Sequence, residues 1–178
     1  MPWDNEPGMS EDELLGHLGS GEFDRVNRAL VYLGSASAVE PTEKVARRLI
    51  ELCSDGDPDV RYGAVYAAGF RWKIPGVLPL LEEILSRPLE DELVLNAAVY
   101  AVGELSRTNP AVHHRGQGTL ARAALAETMP RMVRGNAYAL ALSNAGRISL
   151  DSFAKMGTPG SDVAIDRDWL LSLLASDV

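Results

Sequence analysis

The chain has 178 residues, a length that suits one ordinary domain with a sizeable hydrophobic core. Hydrophobic residues make up 46% of it and charged residues 24%, a composition that is typical of a globular protein and excludes a disordered one. The net charge of −8 argues against general binding to nucleic acid or to an anionic membrane surface.

The single cysteine and the N-terminal end indicate where the protein works. Cys53 has no second cysteine to pair with, which excludes an internal disulfide and fits a reducing, cytoplasmic compartment. No apolar segment has the length of a signal peptide or of a membrane span. We expect an acidic N-terminal tail at 1–9 and a single helical domain at 10–178.

Two helices are predicted at the start of the domain. Ser10 and Glu13 have the spacing of a capping box, so a first helix is expected at 10–18. Apolar residues recur three and four apart in the next segment, which predicts a second helix at 22–33.

The following segment predicts a second helix pair. Val45, Leu49 and Leu52 share one face of its first helix. Asp57 is suited to cap the next helix and Pro58 to occupy its first position, so this helix is expected to run to residue 70.

Further helices are predicted at 74–85, 90–107, 119–127, 129–144 and 166–176, with a shorter one at 149–156. The segment 107–118 is expected to be a linker, and 147–178 a degenerate unit that caps the chain of helices.

An internal repeat is marked by four tyrosines, Tyr32, Tyr66, Tyr100 and Tyr138, which lie 34, 34 and 38 residues apart. A small apolar residue precedes each of them, and another apolar residue lies six positions before each. Each unit reads as a helix pair, and the units are expected at 10–38, 39–72, 73–108 and 109–146.

The repeats resemble the HEAT-repeat family, especially the short HEAT-like repeats of the phycobilisome-lyase type. The stretch 55–69 carries the resemblance: an acidic turn, Pro58, Val60-Arg61 and an alanine-rich helix that ends in Gly69. The family's fold is a right-handed α-solenoid, so the expected fold class is all-α. Leu95 stands where the second unit has Arg61, so any Asp–Arg ladder between the turns is incomplete.

In HEAT-like repeats the second helices line the concave surface. The resemblance therefore implies a partner-binding stripe, since residues four apart share a helix face and tyrosine and arginine are enriched at binding hot spots. The alternative is that the tyrosines pack between neighbouring helices with their hydroxyls at the edge. The stripe consists of Arg28 and Tyr32, Tyr62 and Tyr66, Asn96 and Tyr100, and Arg134 and Tyr138.

Charge is placed unevenly along the chain. Residues 1–24 contain seven acids and no lysine or arginine, whereas residues 107–134 contain five arginines against Glu127. The two interpretations are solvated helix faces or a charge gradient that orients a partner.

No catalytic or metal-binding set is evident. Cys53 is expected to be a buried small hydrophobe at a helix end. His113-His114 in the predicted linker lacks a second pair of ligands, so the linker is expected to be a solvated loop that contacts a partner and not a metal site. We expect no catalytic residue, no metal and no cofactor.

The function that these features favour is non-catalytic binding of another protein, one with a basic surface, by an adaptor or by an inhibitor of the immunity-protein type. One alternative is a HEAT-like lyase or chaperone that holds a tetrapyrrole or another planar ligand against Tyr62, Tyr66 and Tyr100. A second is nucleic-acid binding, for which Arg131 and Arg134 are the support. The partner's identity and the oligomeric state stay open.

Overall fold

The computed structural model describes residues 8–35, 38, 40–87, 89–149, 152 and 164–175. These residues form helices joined by short turns, with no strand among them, which confirms the predicted all-α class. The α-helices are α1 (Glu11–Leu18), α2 (Phe23–Gly34), α3 (Glu43–Leu52), α4 (Pro58–Val65), α5 (Leu78–Ser86), α6 (Glu92–Thr108), α7 (His113–Leu125), α8 (Arg131–Asn144) and α9 (Arg167–Ala175).

Three short helical segments that are not α-helical lie between the α-helices of the described residues. The helix α4 continues without a break into a π-helical turn, Tyr66–Arg71. Two 3-10 turns, Pro75–Val77 and Pro110–Val112, precede α5 and α7.

The predicted helix starts at Ser10 and Asp57 are confirmed. The Ser10 hydroxyl accepts from the Glu13 N–H, and the Glu13 carboxylate accepts from the Ser10 N–H at 2.9 Å, which completes the capping box. The Asp57 carboxylate accepts from the Asp59 N–H at 2.8 Å, and Pro58 occupies the first helical turn. Side-chain caps of this kind stabilise a helix by about 1 kcal/mol each.

Helix contacts follow the order of the predicted units. Each first helix packs on its own partner, in the pairs α1–α2, α3–α4, α5–α6 and α7–α8. The second helices also contact one another in sequence, as α2–α4, α4–α6 and α6–α8. Contacts between first helices occur at α1–α3 and α5–α7. The helices α4 and α6 are therefore direct neighbours in the middle of the row of second helices.

The two middle helices approach each other closely at Gly69. A Cβ built on Gly69 would lie 2.4 Å from the Cβ of Ala101, so this crossing has room for a glycine opposite an alanine and for nothing larger. Val65 and Val99 are fully buried on the same two helices. The spacing between α4 and α6 is therefore set by packing of small residues.

An ion-pair cluster joins the turn before α4 to the turn before α6. The Glu90 side chain, 2% exposed, pairs with Arg61 and accepts from Nη1 of Arg87 at 3.0 Å. Arg61 also donates to the carbonyls of Asp55 and Gly56. Burial opposes ionisation of Glu90, but the hydrogen bonds from Arg61, from the Asp91 N–H and from Arg87 outweigh it, so the pKa of Glu90 is lowered.

The predicted linker at 107–118 is too long, because only residues 109–112 separate α6 from α7. The helix α6 runs to Thr108, and α7 begins at His113, so the expected partner-contacting loop is helical. Gly116 is a helix residue here because α7 packs directly on α6 at this position. A Cβ on Gly116 would lie 2.7 Å from the Cβ of Ser106, so only a glycine allows this contact. The Ser106 hydroxyl also donates to the His113 carbonyl at 3.0 Å, which ties the two helices together.

The predicted helix at 166–176 is confirmed as α9. It packs on α7, and its Leu170 is fully buried. Most of the predicted helix at 149–156 lies outside the described residues, as do residues 1–7 of the predicted acidic tail. In the part of the chain that the structure describes, no helix has the length and apolarity that crossing a membrane requires.

Candidate functional site

A surface groove of about 340 Å³ lies between α4 and α6. We call it the aromatic groove. Its residues come from one face of each helix: Tyr62, Tyr66, Phe70, Leu93, Asn96, Ala97 and Tyr100.

One wall of the aromatic groove is a row of three aromatic rings. Tyr62 and Tyr66 stack with their ring centres 6.5 Å apart, and Tyr66 and Phe70 with theirs 5.2 Å apart. Four residues overshoot one α-helical turn by about 40°, so a third ring would drift off this face in a regular helix. The wider π-helical turn that starts at Tyr66 offsets this drift.

The other wall is formed by α6. Leu93, Asn96, Ala97 and Tyr100 have the spacing of a single helix face. Leu93 is 58% exposed, and Tyr62 opposite is 41% exposed. Ala97 is small and buried, so it leaves room between the larger side chains. Both walls of the aromatic groove therefore expose apolar surface to solvent.

Two polar groups are held in place in the aromatic groove. Oδ1 of Asn96 accepts from Nδ2 of Asn136 on α8 at 3.0 Å, so its own Nδ2 remains as a donor without a partner among the described residues. Burial raises the pKa of the Tyr100 hydroxyl.

Acidic residues border one end of the aromatic groove. Asp59 lies three residues before Tyr62, and Glu92 lies four residues before Asn96, so both share the groove face of their helices. Both are exposed, as are the capping residues Asp57 and Asp91 nearby. This end of the groove is therefore strongly negative.

The structure corrects the predicted stripe at both of its ends. Tyr32 and Tyr138 are only 7% and 6% exposed, so they do not belong to an accessible surface. The Tyr32 hydroxyl lies against Gly8, and the Tyr138 ring packs edge-on against Trp169 of α9, with ring centres 6.0 Å apart. Gly8 and Trp169 thus lie against these two tyrosines.

The remaining predicted residues divide into two groups. Tyr62, Tyr66, Asn96 and Tyr100 are brought together in the aromatic groove. Arg28 is exposed on α2, and Arg134 lines a separate cavity beside α9, so neither is part of this groove.

Three further residues line the groove that were not predicted from the sequence: Phe70, Leu93 and Ala97. Helical spacing along the chain could have identified them, because Phe70 continues the spacing of four residues that separates Tyr62 from Tyr66. Leu93 and Ala97 lie seven and three residues before Tyr100, which is again one helix face.

Two potentially reactive side chains, Cys53 and His17, lie outside the aromatic groove. Cys53 is fully buried, donates from Sγ to the Leu49 carbonyl at 3.3 Å, and has a pKa raised by burial to about 12. It therefore behaves as the predicted buried hydrophobe. His17 accepts from Nε of Arg25 at 3.4 Å at the end of α1. Among the residues that the structure describes, no group of three or more potential ligands is placed to hold a metal ion.

Comparison with known protein families, with curated protein sequences and with solved structures found no match to the chain. The resemblance to HEAT repeats therefore stays a prediction.

Proposed function

We propose that the chain is a non-catalytic, HEAT-like α-helical repeat protein that binds a partner protein in the aromatic groove. The observation that carries the proposal is the convergence of Tyr62, Tyr66, Phe70, Leu93 and Tyr100 in one open groove with an acidic end. The partner is a protein with a basic surface, and the role is that of an adaptor or an inhibitor.

The solenoid part of the proposal is supported by the order of helix contacts. Second helices meet in the order in which the units follow along the chain, and first helices meet at α1–α3 and at α5–α7. A right-handed α-solenoid produces this pattern, because each unit contacts its sequence neighbours. The covered tyrosines at the two ends, Tyr32 and Tyr138, fit the capping that such a stack needs.

The binding part is supported by composition and exposure. Tyrosine carries a large apolar ring and a hydroxyl, so it contributes both buried area and hydrogen bonds to an interface. Leu93 is 58% exposed at the rim of the aromatic groove, and a partner that covers it would bury its apolar surface.

The basic character of the partner is supported by charge. The exposed Asp59 and Glu92 give the groove a negative end, and the whole chain carries a charge of −8. A partner with an apolar anchor beside lysine or arginine complements both parts, and opposite charges speed the encounter.

The test uses a pair of matched leucines. Leu93 in the groove is 58% exposed and Leu171 on α9 is 54% exposed, so aspartate at either position removes little packing. Wild type, Leu93→Asp and Leu171→Asp are immobilised and exposed to host extract. We expect one host protein to be retained by wild type and by Leu171→Asp and to be lost with Leu93→Asp. Equal retention by all three variants contradicts the proposal.

The two other predicted functions are tested by adding ligands to the wild-type protein. Titration with haem or a bilin reports binding of a planar ligand as a shift of the visible band, and a flat titration removes this alternative. Binding of nucleic acid at low salt with a steep salt dependence would instead support the second alternative.

A further inference from the structure

The polar groups of the aromatic groove offer hydrogen-bond donors to a bound segment. Oδ1 of Asn96 already accepts from Nδ2 of Asn136, so the Asn96 amide has only its own Nδ2 to offer. Tyr62 is 41% exposed, and its hydroxyl has no hydrogen-bond partner among the residues that the structure describes. Carbonyl oxygens of a bound segment would satisfy both donors.

This requirement selects the backbone conformation of the bound segment. Inside an α-helix each carbonyl accepts from the N–H four residues later, so a bound helix has no carbonyl free for Asn96. A polyproline II segment has no internal hydrogen bonds, and all its carbonyls are free. Proline also lacks an N–H, so a proline-rich segment leaves no donor unpaired where the Asn96 acceptor is already taken.

The row of aromatic rings matches a polyproline II segment in length. The ring centres of Tyr62, Tyr66 and Phe70 follow one another at 6.5 and 5.2 Å. Polyproline II rises about 3.1 Å per residue with three residues per turn, so two prolines three residues apart share a face and lie about 9 Å apart. Both prolines therefore fit along this row, and aromatic-lined grooves are the surfaces that proline-rich segments bind.

The size of the aromatic groove also favours an extended chain. Its volume of about 340 Å³ has room for a few side chains. The helices α4 and α6 touch through Gly69, the residue before Phe70, and Ala101, so the groove has a closed floor at this end. An α-helix with its side chains is about 10–12 Å across and would not enter so small a groove.

The negative end of the groove adds a basic residue to the segment. The carboxylates of Asp59 and Glu92 are exposed, and neither has a hydrogen-bond or ion-pair partner among the described residues. The nearby Arg61 and Arg87 both pair with Glu90, so they are not placed to neutralise this end. An arginine or lysine on the bound segment would complement it.

We propose that the aromatic groove binds a proline-rich polyproline II segment that contains Pro-x-x-Pro and an arginine or lysine at one end. The prolines lie against the row of three rings, a carbonyl accepts from Nδ2 of Asn96, and the basic residue lies beside Asp59 and Glu92. The inference rests on the proposed function, because it names the kind of segment by which the partner protein enters the groove.

The experiment selects displayed random decapeptides on the immobilised wild-type protein and measures the affinity of the selected peptides by fluorescence anisotropy. We expect the enriched peptides to share Pro-x-x-Pro with an arginine or lysine beyond one of the prolines. Alanine in place of both prolines should weaken binding at least tenfold. Leu93→Asp should weaken it as much, whereas Leu171→Asp, at a position of similar exposure on α9, should leave it unchanged.

The acidic end is tested by the double variant Asp59→Asn, Glu92→Gln. This variant should weaken binding of the selected peptide by about two- to fivefold, the scale of an exposed ion pair. It should leave unchanged the affinity of the same peptide with alanine in place of its basic residue. Asp12→Asn is the matched control and should change neither affinity, since Asp12 is also an exposed acid in a first helical turn but lies on α1.

The outcomes separate this inference from the proposed function. Selected peptides that require Leu93 but lack the paired prolines would overturn the inference and leave the proposed function intact. No enriched peptide, or enriched peptides that bind Leu93→Asp as well as wild type, would also overturn it, and capture from host extract then decides the proposed function. An equal loss in Asp12→Asn and in the double variant would refute the role of the basic residue.

Discussion

Replacing Gly69 by alanine should destabilise the fold, although alanine normally favours helices. The added Cβ would lie 2.4 Å from the Cβ of Ala101, 3.6 Å from its Cα and 3.5 Å from Leu81 Cδ1. Contact between carbon atoms is optimal at about 3.5–4.0 Å, so α4 and α6 must separate by more than about 1 Å. No side-chain rotation relieves the clash, because a Cβ is fixed to its backbone.

The magnitude follows from two opposing effects. Overpacking of this kind costs about 1–3 kcal/mol, and the severity of the contact favours the upper part of that range. Loss of a helical glycine returns about 0.5–1 kcal/mol. We therefore expect Gly69→Ala to lower the free energy of unfolding by about 2 kcal/mol, which is a fall in Tm of about 4–8 °C for a chain of this size.

The assay is urea unfolding followed by circular dichroism at a helical wavelength. Gly16→Ala is the control, because Gly16 lies in α1 with nothing within 4 Å of its added Cβ. It should stabilise the protein by about 0.5–1 kcal/mol. If Gly69→Ala matches or exceeds wild type in unfolding free energy, the close approach of α4 and α6 is refuted, and with it the geometry of the aromatic groove.

Three further predictions concern other parts of the fold. Because the pKa of Glu90 is lowered, its contribution to stability is present above its unfolded pKa and is lost as the pH falls through its folded pKa. Glu90→Gln should therefore lower the free energy of unfolding by about 1–3 kcal/mol at pH 7, and the difference in urea midpoint between the variant and wild type should shrink in acid. A difference that stays constant with pH contradicts the ion-pair cluster. The Cys53 thiol, whose pKa is raised to about 12, should not react with a thiol reagent at pH 8 until urea unfolds the chain, and fast reaction of the native protein would show that it is accessible. Trp169→Ala should expose the ring of Tyr138 and lower stability by about 1–3 kcal/mol, seen as a change in tyrosine fluorescence and a lower Tm; an unchanged Tm would mean that α9 does not cover this tyrosine.

Local signals predicted most of the helix boundaries. Ser10 with Glu13, and Asp57 with Pro58, form caps that involve neighbouring residues alone, so the sequence contains all the information they need. The segment at 113–118 was misassigned because Gly116 resembles a loop residue. Its actual role is to admit Ser106 of a preceding helix, a contact that spacing along the chain does not reveal.

The candidate site was predictable in its middle and not at its ends. Tyr62 and Tyr66 share a helix face by spacing, and the repeat placed Asn96 and Tyr100 beside them. The ring of Tyr138 packs against Trp169, which is far along the chain on α9. Tyrosine spacing is identical for the open and the covered positions, so only tertiary packing distinguishes them.

The central claim is that the aromatic groove binds a protein, and photo-crosslinking in the host cell tests it most directly. Benzoylphenylalanine replaces Leu93 in one variant and Leu171 in the other, two positions of similar exposure. We expect one defined protein adduct with the label at position 93 and none at position 171. Equal adducts at both positions, or no adduct at position 93, would contradict it.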